Sequence, residues 1–305
     1  MQWLIYTLRG ISQIFFVSNA LSGALIIVGV ALFNPLMAAL MLLGSLVQSG
    51  VGSLHGHKEE VVDGRMGFNG ALVGAFAGFA HLPLNLAILA TLLGAVACVS
   101  VHHLVAKLFA SSALSKAALP VSTAPFCLVA GTLEILTLTF FDPAAASSSS
   151  QTGSGLLLSL GNSFAEVVLA DGWLTGLIII AALFIGSVQV GVFGLVGVLF
   201  ADLTASALLH SDISTISTGL QGYSAVLVAI ALGAIFWTQQ RLTVRFLSAV
   251  LASAVTLVIG FLLALTPIPV FTWPFLLTMW LFMLAKMFTD KSAKQPLAHH
   301  PAEAL

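Results

Sequence analysis

One pattern of seven residues occurs twice in this chain, and its recurrence restricts the possible folds more than any other feature. Residues 119–126 read LPVSTAPF and residues 268–275 read IPVFTWPF, so P-x-x-T-x-P-F appears in both segments at a spacing of 149 residues. Two prolines, a threonine and a phenylalanine in one register are not expected to recur by chance. Duplicated apolar segments interrupted by proline indicate two membrane repeats that meet around a pathway near the bilayer midplane.

Two further blocks match between the halves in the same order. Gln13 aligns with Glu166 at an offset of 153 residues. The block GxxGFN at 64–69 aligns with GxxGYS at 219–224 at an offset of 155 residues. Three blocks in one order with nearly constant offsets indicate that the repeat covers each half along its whole length.

The composition changes sharply between the two repeats. Residues 142–155 read DPAAASSSSQTGSG, a small and polar run without periodicity, which is typical of a flexible linker. The sequence therefore predicts a first transmembrane repeat at 1–141, a linker at 142–155, a second transmembrane repeat at 156–290 and a polar tail at 291–305.

The apolar composition requires a membrane. Hydrophobic residues make up 59% of the chain and charged residues only 7%, and the mean hydropathy is +1.10. Soluble domains hold roughly 45–50% apolar and about 25% charged residues. The stretches 20–54, 84–105, 174–209 and 242–265 each supply enough apolar residues to cross a bilayer as a helix. The predicted fold class is an all-α polytopic membrane protein.

The first half contains six apolar segments, some of them too short to span a bilayer. They lie near residues 3–18, 20–33, 36–54, 67–80, 84–110 and 120–141. We expect one segment in each half to be a re-entrant half-helix, which leaves five spans per repeat and about ten transmembrane helices in the chain. An odd number of spans turns the second repeat upside down, so the two repeats are predicted to be inverted.

Charge and cysteine content exclude several alternatives. The net charge of −1 provides no basic face, so no nucleic acid partner is expected. Cys98 and Cys127 both lie in apolar stretches, which favours buried free thiols over a disulfide. Lysines near the C-terminus, including Lys286, favour a cytoplasmic tail, and an even number of spans would place the N-terminus on the same side.

Together, three groups of residues resemble the urea transporter family. They are the blocks LRGISQ at 8–13 and NALSG at 19–23, the block GFNGALVG at 67–74, and the two P-x-x-T-x-P-F segments. The resemblance covers nearly the whole chain except the serine-rich linker and the C-terminal tail. It implies passive flow of urea down its gradient through a pore inside each protomer. It also implies ten spans with two half-helices and assembly as a homotrimer. We expect the protein in a bacterial inner membrane or a comparable cell membrane.

The resemblance further implies a selectivity filter lined by residues from matching positions of both halves. These pore residues are Gln13, Phe16, Phe68 and Thr123 from the first half, with Glu166, Leu169, Tyr223 and Thr272 from the second half. The family usually has an aromatic residue three positions after the amide or acid, which Phe16 fits and Leu169 does not. Tyr223 stands where the first half has Phe68. Both departures predict a slot that is wider or more polar on one side.

These residue types suit a small, planar, neutral and polar solute. An unpaired polar group in an apolar setting costs about 2–7 kcal/mol, so the path must replace the hydration of the solute. Aromatic rings form a flat slot, and the oxygens of Gln13 and Glu166 can accept N–H groups at the two mouths. We expect each proline to loosen a helix beside Thr123 or Thr272 and to free carbonyl acceptors there. The narrowest point is predicted at these two threonines.

Other functions are open at this stage. Glu166 would serve a proton-coupled small-solute carrier, and Leu169 with Tyr223 would suit a channel for ammonia or other small amides. An enzyme is not expected, because the aligned positions hold no nucleophile–base pair.

The histidine pairs His55/His57 and His102/His103 raise the question of a metal. Adjacent histidines on a helix point about 100° apart, and no second ligand cluster accompanies the pair at 55–57. No metal or cofactor is therefore predicted.

Overall fold

The computed structural model describes residues 1–140 and 155–289, and helices are the regular secondary structure in both ranges. The first range contains α1 (Gln2–Gln13), α2 (Ala20–Phe33), α3 (Pro35–Leu54), α4 (Lys58–Val62), α5 (Phe68–Phe79), α6 (Leu84–Phe109) and α7 (Ala124–Phe140), with a short 3-10 helix at Ser115–Ala117. The predicted linker falls almost wholly outside the described residues, and so does the predicted tail at 291–305.

The second range repeats this order of elements. It contains α8 (Leu156–Glu166), α9 (Trp173–Gly186), α10 (Val188–Leu208), α11 (Ile213–Ser217), α12 (Tyr223–Ile230), α13 (Leu242–Ala264) and α14 (Trp273–Thr289). A π-helix at Ala231–Phe236 continues α12, and α5 has no such extension in the first half.

The helix lengths agree with a membrane protein. Within residues 1–140 and 155–289, four helices are long and apolar enough to cross a bilayer, namely α3, α6, α10 and α13. Six shorter apolar stretches of the described chain accompany them. A helix overlaps each of the six apolar segments expected in the first half, namely α1, α2, α3, α5, α6 and α7.

Short polar residues determine where several of these helices begin. The side chain of Asn19 accepts hydrogen bonds from the backbone N–H groups of Leu21 and Ser22 at the start of α2. Asn34 caps α3 in the same way, and Pro35 follows it at the first helical position, where its missing N–H has no consequence. Ser187 caps α10 at the position equivalent to Asn34. Asn34 and Ser187 each end one apolar helix and start the next.

The backbone itself repeats at equivalent positions. Three pairs of residues adopt the left-handed region that L-residues rarely enter, and their offsets of 153, 155 and 149 residues are those of the three sequence blocks. The pairs are Phe16 (φ 62°) with Leu169 (φ 60°), Gly64 (φ 84°) with Gly219 (φ 80°), and Ser122 (φ 47°) with Phe271 (φ 33°). The sequence alignment of the halves is therefore also an alignment of local structure.

Two buried hydrogen bonds join the halves in a reciprocal manner. The hydroxyl of Ser22 in α2 donates to the carbonyl of Ala182 in α9 at 2.7 Å. The hydroxyl of Thr175 in α9 donates to the carbonyl of Gly29 in α2 at 2.9 Å. Ser22 is equivalent to Thr175 and Gly29 to Ala182 at the offset of 153 residues. Such reciprocity is characteristic of two units related by a two-fold axis.

Candidate functional site

The two P-x-x-T-x-P-F segments stand at the start of helices, not inside them. Helix α7 begins at the residue after Thr123, and α14 begins at the residue after Thr272. The carbonyl of Thr123 accepts from the N–H of Cys127, and the carbonyl of Thr272 accepts from that of Leu276. The expectation that proline loosens a helix here was therefore wrong. The second proline of each motif lies in the first turn, where its missing N–H breaks no helical bond.

The threonine side chains of the two motifs meet. Their hydroxyl oxygens are 2.7 Å apart, and both residues are buried. The thiol of Cys127, one turn into α7, lies 3.1 Å from the hydroxyl of Thr272. The pairing predicted by the repeat thus brings a polar contact into the centre of an apolar interface between the two halves.

Aromatic rings surround this contact. The ring of Phe271, which precedes Thr272, packs edge-on against Phe76 and Phe126, with centroids 5.6 and 5.2 Å away. The hydroxyl of Tyr223 donates to the backbone carbonyl of Phe271. Tyr223 is therefore joined to the threonine pair through one residue, and its hydroxyl already has an acceptor in the protein.

Phe16 occupies a separate aromatic group. Its ring packs edge-on against Phe236 at 6.1 Å and against Phe275 at 6.0 Å. Phe275 belongs to α14, which begins at the residue after Thr272, so this aromatic group reaches within three residues of the threonine pair along the chain. Phe68 is the first residue of α5. Phe68 and Leu169 are both half-buried against the core.

Gln13 has a free acceptor. Its side-chain N–H donates to the carbonyl of Asp63 at 3.0 Å, which fixes the amide. Its side-chain oxygen is buried and has no hydrogen-bond partner among the described residues. An orphaned buried acceptor is unusual in a protein, because most buried polar groups are hydrogen-bonded. A cavity of 440 Å³ is lined by Lys58, Glu59, Val62, Asp63 and Arg65, and Asp63 is the residue whose carbonyl accepts from the Gln13 amide.

Glu166 ends α8 as Gln13 ends α1, and a left-handed residue follows three positions later in both cases. The side chain of Glu166 is half-buried and interacts electrostatically with Asp171 and Tyr223. The described contacts do not link Gln13 directly to Glu166. Gln13 and Glu166 lie at equivalent positions in the two repeats.

Sequence reasoning missed two residues of this site. Phe271 contacts two rings and accepts from Tyr223, and Cys127 touches Thr272. The sequence spacing could have identified Cys127, because it lies four residues after Thr123 and therefore on the same helix face.

Asn69 of α5 braces the turn before α7. Its amide donates to the carbonyl of Ser122 at 3.1 Å and accepts from the N–H of Phe126 at 3.1 Å. These bonds hold the turn that carries Thr123.

The two histidine pairs come together, contrary to the expectation that no second cluster accompanies the pair at 55–57. A ring nitrogen of His57 lies 2.6 Å from one of His103, and Glu60 lies 3.3 Å from the other nitrogen of His57. Tertiary packing of the loop before α4 against α6 produces this contact, which the sequence spacing of 46 residues did not reveal. Within residues 1–140 and 155–289, no group of three or more such side chains is arranged to hold a metal ion.

These features define a class: an all-helical, polytopic membrane protein of two repeats, with a buried polar contact where the repeats meet. The chain belongs to the urea transporter family, because the family model described as Urea transporter matches residues 4–287. Members of this family are transporters and not enzymes, and membership implies urea transport across a membrane.

Individual relatives agree with the family assignment. The chain is 27% identical to urea transporter 1 of Ovis aries, and the match covers 98% of this chain and 81% of the relative. It is 28% identical to urea transporter 1 of Mus musculus over the same shares of the two chains.

Proposed function

We propose that this protein is a passive channel that carries urea down its gradient through a pore within each protomer, between two inverted repeats. The observation that carries the proposal is the hydroxyl pair of Thr123 and Thr272, buried between the halves and 2.7 Å apart. Each hydroxyl both donates and accepts, so each can exchange its bond to the partner threonine for a bond to urea.

The aromatic groups support passage of a flat solute. Phe16 forms one wall with Phe236 and Phe275, and Phe271 lies beside the threonine pair. Aromatic faces contact a planar molecule closely, whereas a hydrated ion would lose its water without receiving charged partners. We place Phe68, Leu169 and Tyr223 on the remaining walls. Since the Tyr223 hydroxyl donates to the Phe271 carbonyl, this side is less polar than the sequence alone suggested.

The mouths lie at the ends of α1 and α8 in this proposal. The orphaned side-chain oxygen of Gln13 is available to an N–H group of urea at one mouth, and the carboxylate of Glu166 serves the other. The reciprocal bonds of Ser22 and Thr175 support a two-fold relation between the repeats. With five spans and one half-helix in each repeat, this relation becomes an inversion, with ten transmembrane helices in the chain.

The proposal includes the assembly and its surroundings. We place the protein as a homotrimer in a bacterial inner membrane or a comparable cell membrane, with both termini in the cytoplasm. The family resemblance supports the trimer, and the exposed apolar faces of α6 and α13 support contact with lipid.

The test is stopped-flow urea flux into proteoliposomes at equal protein density. Thr123→Val/Thr272→Val keeps the shape of both side chains and removes both hydroxyls. The matched control is Thr132→Val, because the Thr132 hydroxyl is exposed and donates to a carbonyl of its own helix. We expect rapid flux in the wild type and in the control, and flux about tenfold or more slower in the double variant, as expected when a polar solute loses buried partners.

Other outcomes identify the alternatives. Flux that is unchanged in the double variant would place the constriction elsewhere. Wild-type flux no faster than in empty liposomes would point to ammonia or another small amide. Accumulation of solute against its gradient, abolished by an uncoupler and by Glu166→Gln, would make the protein a proton-coupled carrier.

A further inference from the structure

Arg245 is a charged residue inside the second repeat that the pathway described above does not use. It lies in the first turn of α13 and is only 8% exposed. Arg245 is the fourth residue of α13, and the fourth residue of the equivalent helix α6 is Ala87. Among the described residues no carboxylate pairs with it, although buried charges usually have such a partner. Intramembrane charged residues are rare and commonly serve function.

Neutral groups hold the guanidinium in place. One N–H of Arg245 donates to the backbone carbonyl of Gly233 at 2.6 Å, and another donates to the side-chain oxygen of Gln189 in α10 at 3.0 Å. The guanidinium also lies over the ring of Phe193, 5.4 Å from its centroid. The side chain therefore joins α10, α13 and the π-helix that continues α12.

The carbonyl of Gly233 needs an external donor. Gly233 lies within the last four residues of the π-helix at Ala231–Phe236, where carbonyl groups have no partner in their own helix. A cation at a helix C-terminus also interacts favourably with the helix dipole. Arg245 supplies both the donor and the charge, so it stabilises this end of the helix in its widened form.

The π-helix determines the direction of Phe236. One extra residue in a helical turn rotates everything that follows by about 100° relative to an uninterrupted α-helix. Phe236 is the last residue of the π-helix, and its ring packs against Phe16, a wall of the proposed slot. In the first repeat α5 ends at Phe79 without a π-helix, so among the described residues this arrangement occurs in the second repeat alone.

We propose that Arg245 is a positioning residue for solute selectivity: it holds the π-helix of the second repeat and thereby sets Phe236 against Phe16. Arg245 itself does not touch the solute. Without it, the π-helix relaxes, the ring of Phe236 leaves Phe16, and the slot widens at that end. This inference rests on the proposed urea channel.

The experiment compares flux of urea with flux of N-methylurea, which has one added methyl group, in the same proteoliposomes. Arg245→Met keeps the length and apolar body of the side chain and removes its donors. We expect the preference for urea over N-methylurea to fall about tenfold, the scale of one-methyl discrimination in a shaped pocket. The matched control is Arg241→Met, four residues earlier in the chain and exposed, which leaves the preference unchanged.

Phe236→Leu separates positioning from general damage. If Arg245 acts through Phe236, then Arg245→Met adds no further loss of preference in a Phe236→Leu background. If Arg245→Met lowers the preference for urea in the Phe236→Leu background as much as it does alone, the proposal is overturned. An unchanged preference in Arg245→Met overturns it too. If Arg245→Met does not reach the folded state by size exclusion, Gln189→Leu decides the question, because it removes only one of the two hydrogen bonds. An unchanged preference in that variant likewise overturns the proposal.

Failure of the two proposals gives different results. Wild-type urea flux at the level of empty liposomes contradicts the channel itself. Normal wild-type flux and preference, with an unchanged preference in both the Arg245 and the Gln189 variants, contradicts only the role of Arg245.

Discussion

Phe16 and Leu169 occupy equivalent backbone positions in the two repeats but have different surroundings. Their φ angles are 62° and 60°, and each follows by three residues the polar residue that ends a helix. Phe16 packs edge-on against two other rings, whereas Leu169 packs an aliphatic side chain against the hydrophobic core. The backbone of the repeat is thus preserved while its chemistry is not. An asymmetric path can therefore be built on two nearly equal halves.

The strongest test of this equality changes the tight glycines. A Cβ atom at Gly64 would lie 2.4 Å from the backbone of Arg9, and one at Gly219 would lie 2.4 Å from that of Asn162. Both glycines also have a left-handed backbone conformation, which alanine adopts at a cost. Each Gly→Ala change is therefore expected to lower the free energy of unfolding by about 3 kcal/mol. The measurement is thermal unfolding in detergent, with Gly50→Ala as control, because a Cβ there meets no atom within 4 Å. A large loss in only one half would contradict the structural repeat.

Exchanging the two side chains tests the difference directly. Phe16→Leu removes two edge-on ring contacts, each worth about 1 kcal/mol beyond its buried area, and should open the slot to N-methylurea. Leu169→Phe should narrow the other half and slow urea itself. Flux of the two solutes in proteoliposomes measures both effects. If both exchanges leave the ratio of the two fluxes unchanged, neither position contributes to selectivity.

The reciprocal hydrogen bonds provide a finer comparison. Ser22→Ala removes the bond to Ala182, and Thr175→Val removes the bond to Gly29. Each change should lower the free energy of unfolding by about 1 kcal/mol, because a buried carbonyl loses its donor. Thermal unfolding of the two variants and of the double variant measures these losses. If one variant loses more than twice as much free energy of unfolding as the other, the two bonds are equivalent in geometry but not in energy.

The smallest expected effect involves Glu60 in the loop region of the first repeat. Burial raises the pKa of Glu60, but a backbone hydrogen bond and the ring of His57 outweigh it, so the pKa lies below the usual value near 4.5. A carboxyl whose pKa is lowered in the folded state stabilises the protein at pH values above its unfolded-state pKa. That stability is lost as the pH falls through the folded-state pKa. Glu60→Gln should therefore flatten the acid side of the stability profile slightly. If the wild type and Glu60→Gln have the same stability profile between pH 3 and 5, roughly the titration range of a carboxylate, the lowered pKa of Glu60 is contradicted.

The sequence predicted the fold well where local physical chemistry decides it. Apolar runs predicted six of the seven α-helices described in residues 1–140, because a helix in a membrane must cover its backbone with apolar side chains. The recurrence of Thr123 as Thr272 predicted the narrowest point of a path at these two residues, and the structure brings their hydroxyls into contact. Their helical context was predicted wrongly, because a proline pattern alone does not distinguish the first turn of a helix from its interior.

Contacts between residues far apart in the chain needed the tertiary structure. The meeting of His57 with His103 and the bond from Tyr223 to Phe271 depend on how helices pack, and no periodicity reports them. The same holds for Arg245, whose donors reach a carbonyl that exists as a free acceptor only because the helix widens and ends there. The sequence alone determined the two apolar repeats and the threonines at their junction. Tertiary packing decided which side chains complete the walls, because ring orientation and hydrogen-bond partners arise only when helices from both halves come into contact.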